Sequence, residues 1–161
     1  MKIDFRINSV PAVLGDPVDE PALTAAGLRK AGPIRRLIKQ HPHYLVVYSA
    51  ENCQLDCFAD AFSLYPCTYR YLDRDRRWGT SAALFLQSGR LVKVEFQVID
   101  GQYAAGNFLD RFQDTCQAAL GAPVEATRYS TRWVNDKAQV TTILQRDKTN
   151  VDFRLEIIPD S

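Results

Sequence analysis

With 161 residues, the chain has the length of one domain that buries about 70% of its unfolded surface, so a core needs neither disulfides nor metal. Lys+Arg number 20 and Asp+Glu 19, a net charge of +1, which excludes a global field that would draw the molecule to nucleic acid or lipid. No apolar stretch approaches the ~20 residues of a membrane-spanning helix, and MKIDFRINSV lacks the apolar run of a signal peptide. The expected compartment is therefore the cytoplasm, with Cys53, Cys57, Cys67 and Cys116 as reduced thiols.

Residues 2–8 set Ile3, Phe5 and Ile7 against Asp4, Arg6 and Asn8, the alternation of a half-buried strand. Four prolines and three glycines across residues 9–33 argue against long regular elements there. A short helix is expected to start at Asp19, with Pro21 in its first turn, and to stop at Gly32-Pro33; a further turn follows through Ile34–Lys39. Tyr44–Tyr48 (YLVVY) is apolar throughout, as in a buried central strand.

Glu51–Leu64 fits two templates. Cys53, Cys57, Ala61 and Phe62 fall at helical spacing, with Ser49 as a cap and Glu51 in the first turn; Cys53, Leu55 and Cys57 also alternate with Gln54 and Asp56 as in a strand. The helix is the preferred reading.

After Pro66 a meander is expected: a strand over Thr68–Leu72, a charged loop over Asp73–Arg77, and strands over Thr80–Gln87 and Arg90–Ile99 joined at Ser88-Gly89. Phe108, Phe112, Cys116 and Ala119/Leu120 form one stripe of a helix over Asn107–Leu120, capped by Asn107 and closed by Gly121 and Pro123. Three more strands follow, over about Ala126–Val134, Ala138–Gln145 and Val151–Ile158. Tyr69, Tyr71, Tyr129 and Trp133 read as core aromatics beneath the helices.

Two halves resemble each other. VEFQV at Val94–Val98 and VDFRL at Val151–Leu155 lie 57 residues apart, as do Pro66 and Pro123, while Leu86-Gln87 and Leu144-Gln145 lie 58 apart. The fold class this implies is α+β: an antiparallel sheet of meanders with helices packed on one face, built as two tandem αβββ units over residues 50–99 and 107–158.

Catalytic signatures are scarce. There is no GxSxG, HExxH, Gly-rich phosphate loop or GxGxxG. His41, His43, Cys53, Cys57 and Cys67 are the residue types that zinc takes, and a helix would align Cys53 with Cys57. Yet no CxxC or HxxxH occurs, and cysteine is more often a small core hydrophobe. Neither a metal nor a cofactor is expected. A cysteine nucleophile or metal-dependent enzyme using these residues is the third-ranked reading.

Two basic features stand out. Arg29, Lys30, Arg35, Arg36 and Lys39 accumulate where no acid occurs between Glu20 and Glu51. Arg70, Arg74, Arg76, Arg77 and Trp78 surround the first meander loop, with Arg128 and Arg132 on the corresponding strand of the second half; arginine suits planar anions and Trp78 offers a stacking surface. Asp73 and Asp75 interleave the loop and neutralise much of it, so nucleic acid is disfavoured. The leading expectation is a non-enzymatic module that binds a protein partner or itself, as a homodimer, through an exposed sheet face or loop. Second comes an anionic-ligand pocket between sheet and helices, lined by Arg70 or Arg128.

Overall fold

The computed structural model describes residues 3–35, 44–58, 61–71, 73–100, 104–127, 130–135, 138–144 and 150–157. Strands β1 (Asp4–Ile7) and β2 (Val10–Val13) form a hairpin through Asn8 and Ser9, both with positive φ. The strand pattern that begins the chain therefore continues into the proline-rich stretch, where Pro11 sits opposite Arg6.

Helix α1 (Glu20–Ala25) starts as the sequence implies: Asp19 Oδ1 accepts from the Ala22 amide at 3.1 Å and Pro21 occupies the first turn. It stops earlier than Gly32-Pro33. Gly27, at φ +93°, takes the left-handed position; the Leu28 amide bonds the Leu23 carbonyl at 3.1 Å and the Gly27 amide bonds that of Thr24 at 3.0 Å. This is a Schellman closure, and its apolar clasp is Leu23 against Leu28, both buried. The chain then enters β3 (Arg29–Arg35), so Ile34 and Arg35 are in a strand rather than a helix, and Gly32-Pro33 marks a bulge between Ala31 and Ile34. Residues 36–39 lie outside the described residues.

β4 (Tyr44–Glu51) is the expected buried strand, extended through Ser49 and Glu51. The preferred helix over residues 51–64 is not formed. In its place are β5 (Leu55–Cys57) and β6 (Phe62–Leu64), which pair with each other and, through β5, with β1. Period-two burial wins because Cys53, Leu55 and Cys57 all enter the core, and because Asp56, also buried, accepts from Ser63 Oγ across the pair at 2.6 Å. A helix would have left that carboxylate without this partner.

The expected charged loop at residues 73–77 is also a strand. β7 (Cys67–Tyr71) turns directly into β8 (Arg74–Gln87), with Tyr71 opposite Arg74 and Asp73 at φ +60°. Arg70 and Asp75 are cross-strand partners there and the arginines of β8 lie opposite Tyr71, Tyr69 and Thr68, a pattern that hydrophobic periodicity cannot register. β8 and β9 (Arg90–Asp100) join at Ser88-Gly89, φ +52° and +76°, the two left-handed residues a tight hairpin needs. Helix α2 (Ala104–Leu120) is longer than expected, so Asn107 lies within it; Gly121, φ +87°, ends it as expected. β10 (Glu125–Ala126), β11 (Ser130–Asn135), β12 (Ala138–Leu144) and β13 (Asn150–Ile157) complete the chain.

The large antiparallel sheet runs β10-β11-β12-β13-β9-β8-β4-β3, with β7 beside the start of β8. That order is a palindrome. From each edge, α1 then β3, β4, β8, β9 and α2 then β10, β11, β12, β13 lead inward to a central seam where Phe96 lies opposite Phe153, Val94 opposite Leu155 and Val98 opposite Val151. The resembling pentapeptides are thus antiparallel neighbours, and the residues 57 apart that resemble each other exchange places across the seam. The fold is α+β with an antiparallel meander sheet and helices packed against it, consistent with two tandem β-rich units. The helix expected to open the αβββ unit over residues 50–99 is absent, its place taken by β5 and β6, while along the sheet each run of four strands from edge to seam follows a helix, α1 or α2. The expected match of Leu86 with Leu144 does not hold in register: Leu84, opposite Val94, stands where Leu144 stands opposite Val151.

Leu23 of α1 and Phe112 and Cys116 of α2 belong to one buried cluster with Ala50, Ala82, Leu84, Val94 and Phe96 of the sheet. Phe112 is its hub: its ring meets Phe62 at 5.1 Å and Phe96 at 5.8 Å, both edge-on. No helix among the described residues is long and apolar enough to cross a membrane.

Candidate interaction surfaces

The sequence-predicted arginines fall on two separate parts of the sheet. Arg70 is on β7; Arg74, Arg76, Arg77 and Trp78 are on β8, opposite Tyr71, Tyr69, Thr68 and Cys67. Arg132 is on β11, and Arg128 lies outside the described residues. Between β7 and β11 run β8, β9, β13 and β12, which at about 4.8 Å per strand separates Arg70 from Arg132 by at least ~24 Å, and their registers on β8, Asp75 and Ala83, add to that along the strands. The two groups form no common site. Arg132 is locally satisfied, donating to Glu125 Oε2 at 3.2 Å and Gln139 Oε1 at 3.3 Å.

The first group forms an arm. β8 pairs with β9 only from Trp78, opposite Asp100, onward; among the described residues, 74–77 pair with β7 alone. Among the described residues β7 itself pairs only with β8. Among the described residues, 67–71 and 74–77 thus form a two-stranded ribbon beyond the last β8–β9 pair, and Arg70, Asp73, Arg74 and Asp75 at its end are all exposed. Arg70 donates to Asp75 Oδ1 at 3.4 Å and to the Asp73 carbonyl at 3.3 Å. With both partners wide open to water, that pair contributes little stability. Its effect is to leave the edge of β7 close to neutral.

The side of the sheet away from the helices carries a second feature, a cleft of about 390 Å³. Ser49, Ser81 and Ala83 line its floor, and Arg29, Glu51 and Glu95 its sides. Lys93 Nζ holds Glu95 at 2.8 Å. Among the described residues Arg29 and Lys93 balance Glu51 and Glu95 in charge.

The cysteines are core residues. Cys53, Cys57 and Cys116 are free and buried, and burial raises all three thiols, Cys57 and Cys116 most strongly. A protonated, enclosed thiol is a poor nucleophile and a poor metal ligand. Cys57 faces Phe62 on β6 and Cys116 follows Phe112 by one helical turn, so the i, i+4 alignment of Cys53 with Cys57 has no counterpart. His41 and His43 lie outside the described residues, as does the side chain of Cys67. Among the described residues no group of three His, Cys, Asp or Glu is placed to hold a metal ion. Trp133 is core, as expected, its Nε1 donating to the Gly121 carbonyl at 3.1 Å; Tyr129 and the side chains of Tyr69 and Tyr71 are outside the described set.

Sequence reasoning located the arm residues by their arginine content but read the arm as a loop; the signal that could have found it is the Arg/Asp complementarity of residues 70 and 75 across Leu72-Asp73. The chain matches no protein-family model, no curated protein and no solved structure.

Proposed function

We propose that the protein is a non-enzymatic interaction module that binds a protein partner or a second copy of itself, and that the β7–β8 arm is its binding element. The supporting observation is the arm's projection: a ribbon with both outer edges unpaired among the described residues and four exposed residues at its end. An isolated two-stranded ribbon is marginal in water, and strand addition is a common way for such an edge to be completed. The anionic-ligand reading has less support, because Arg70 stands on the arm and the space beneath α2 is filled by Phe62, Phe96 and Phe112.

Cys67 and Trp78 are cross-strand partners, so an Asn-Gly turn can replace residues 68–77 and join them directly. The test places a photo-cross-linking residue at Arg74 and compares complexes of the full and armless chains by native mass spectrometry. The expected result is a cross-link in the arm and loss of the complex in the armless chain. Complexes that survive removal of the arm would show that binding lies elsewhere.

A further inference from the structure

We propose that β7 is a self-pairing edge: it adds in antiparallel register to β7 of a second copy of this chain, about a two-fold axis at Tyr69. The inference rests on the arm being the binding element and names its occupant.

The contrast among edges carries it. Natural sheets blunt their edge strands with proline, bulges, brevity or charged side chains, and on β7 the one charge, Arg70, is paired with Asp75. Here β3 has Gly32-Pro33 and its bulge, β10 is two residues long, β6 is three, and β2 has Pro11. β7, CTYRY, is five residues of mostly strong strand formers with no proline, glycine or bulge. Among the described residues it is the edge left without such a device, and it sits on the ribbon with most to gain from a third strand.

Register and charge then select the partner. Pairing two copies about Tyr69 sets Thr68 opposite the second copy's Arg70 and Cys67 opposite its Tyr71, so no like charges face each other. The arm's other edge is less suited: antiparallel pairing of residues 74–77 with their own copy sets Arg74 against Arg77 at both ends, and the two Asp75–Arg76 pairs at its centre only offset that repulsion. The β7 edge is also the one whose cation is already held by Asp73 and Asp75. A five-residue pairing falls well below the ~1,000 Å² of a stable interface, so the dimer is weak and concentration-dependent.

Sedimentation velocity on the full chain, from about 1 μM to about 1 mM, tests it. Two variants act on the register itself. Because Thr68 also lies opposite Arg77 within its own arm, both are read in an R77Q background; there T68E places a carboxylate opposite Arg70 twice per dimer and is expected to tighten dimerisation, and T68K, which places like charge there, to weaken it, each on the order of 2- to 30-fold. The armless chain is expected to be monomeric. The proposal is overturned if both the full chain and T68E stay monomeric throughout, if T68E and T68K move the dimer constant together or leave it unchanged, or if the armless chain still dimerises. A monomeric full chain that still cross-links through Arg74 to a different protein overturns self-pairing alone; loss of every arm-dependent complex removes the underlying reading as well.

Discussion

Asp19 and the buried cysteines show single side chains acting through atoms that can be named. Asp19 Oδ1 satisfies the Ala22 amide, one of the four donors that a helix start leaves open. In a six-residue helix, that is a sizeable share of the end contacts. D19A is expected to cost about 1 kcal/mol, read as a lowered urea midpoint at unchanged m-value. The cysteines act through protons. Burial keeps Cys53, Cys57 and Cys116 protonated in the folded state above the pH at which the unfolded chain releases its thiol protons, roughly 8.5. Above that pH the unfolded chain binds fewer protons, so stability is full below it and declines as pH rises. Urea midpoints should therefore be flat from about pH 7 to 8 and fall between about 8.5 and 9.5, with a shallower fall in C116A. An equal slope in C116A would show that other groups set it.

At the scale of elements, α2 is held by Phe112, whose ring contacts β6 through Phe62 and β9 through Phe96. F112A empties the junction of helix and both sheets and is expected to cost about 3–5 kcal/mol, visible by calorimetry as a large drop in Tm. α2 was legible because one stripe, Phe112 to Cys116, repeats over enough turns to outvote alternatives, and because Gly121 and Pro123 close it. Residues 51–64 were not. Three-residue strands are too short to separate period two from period 3.6, and the deciding contact, Ser63 to Asp56, joins residues whose pairing exists only after the chain turns at Phe58, φ +53°. The arm failed differently: arginine and aspartate occupy the positions where apolar alternation would mark a strand, so the charged run reads as a loop. The arginines of the candidate site were legible by composition alone, and their division between β7–β8 and β11 only from strand order.

For the whole molecule, the palindromic sheet separates what holds the fold from what extends beyond it. Helix-bearing halves meet at the β9–β13 seam, the central pairing of the sheet. The arm attaches to this body at one pair, Cys67 opposite Trp78, and its described side chains are exposed. Replacing residues 68–77 by Asn-Gly leaves that pair in register, keeps the pairing of β8 with β4 and β9, and removes strand residues that among the described residues pair only with each other. Surface changes that touch no core contact usually stay within about 0.5 kcal/mol. The armless chain is therefore expected to unfold within about 1 kcal/mol of the full chain, a Tm difference of no more than ~2–4 °C. A larger loss, measured by calorimetry on dilute protein so that association does not contribute, would mean that residues 68–77 stabilise the body. Their projection would then be part of the fold rather than a surface held out for a partner.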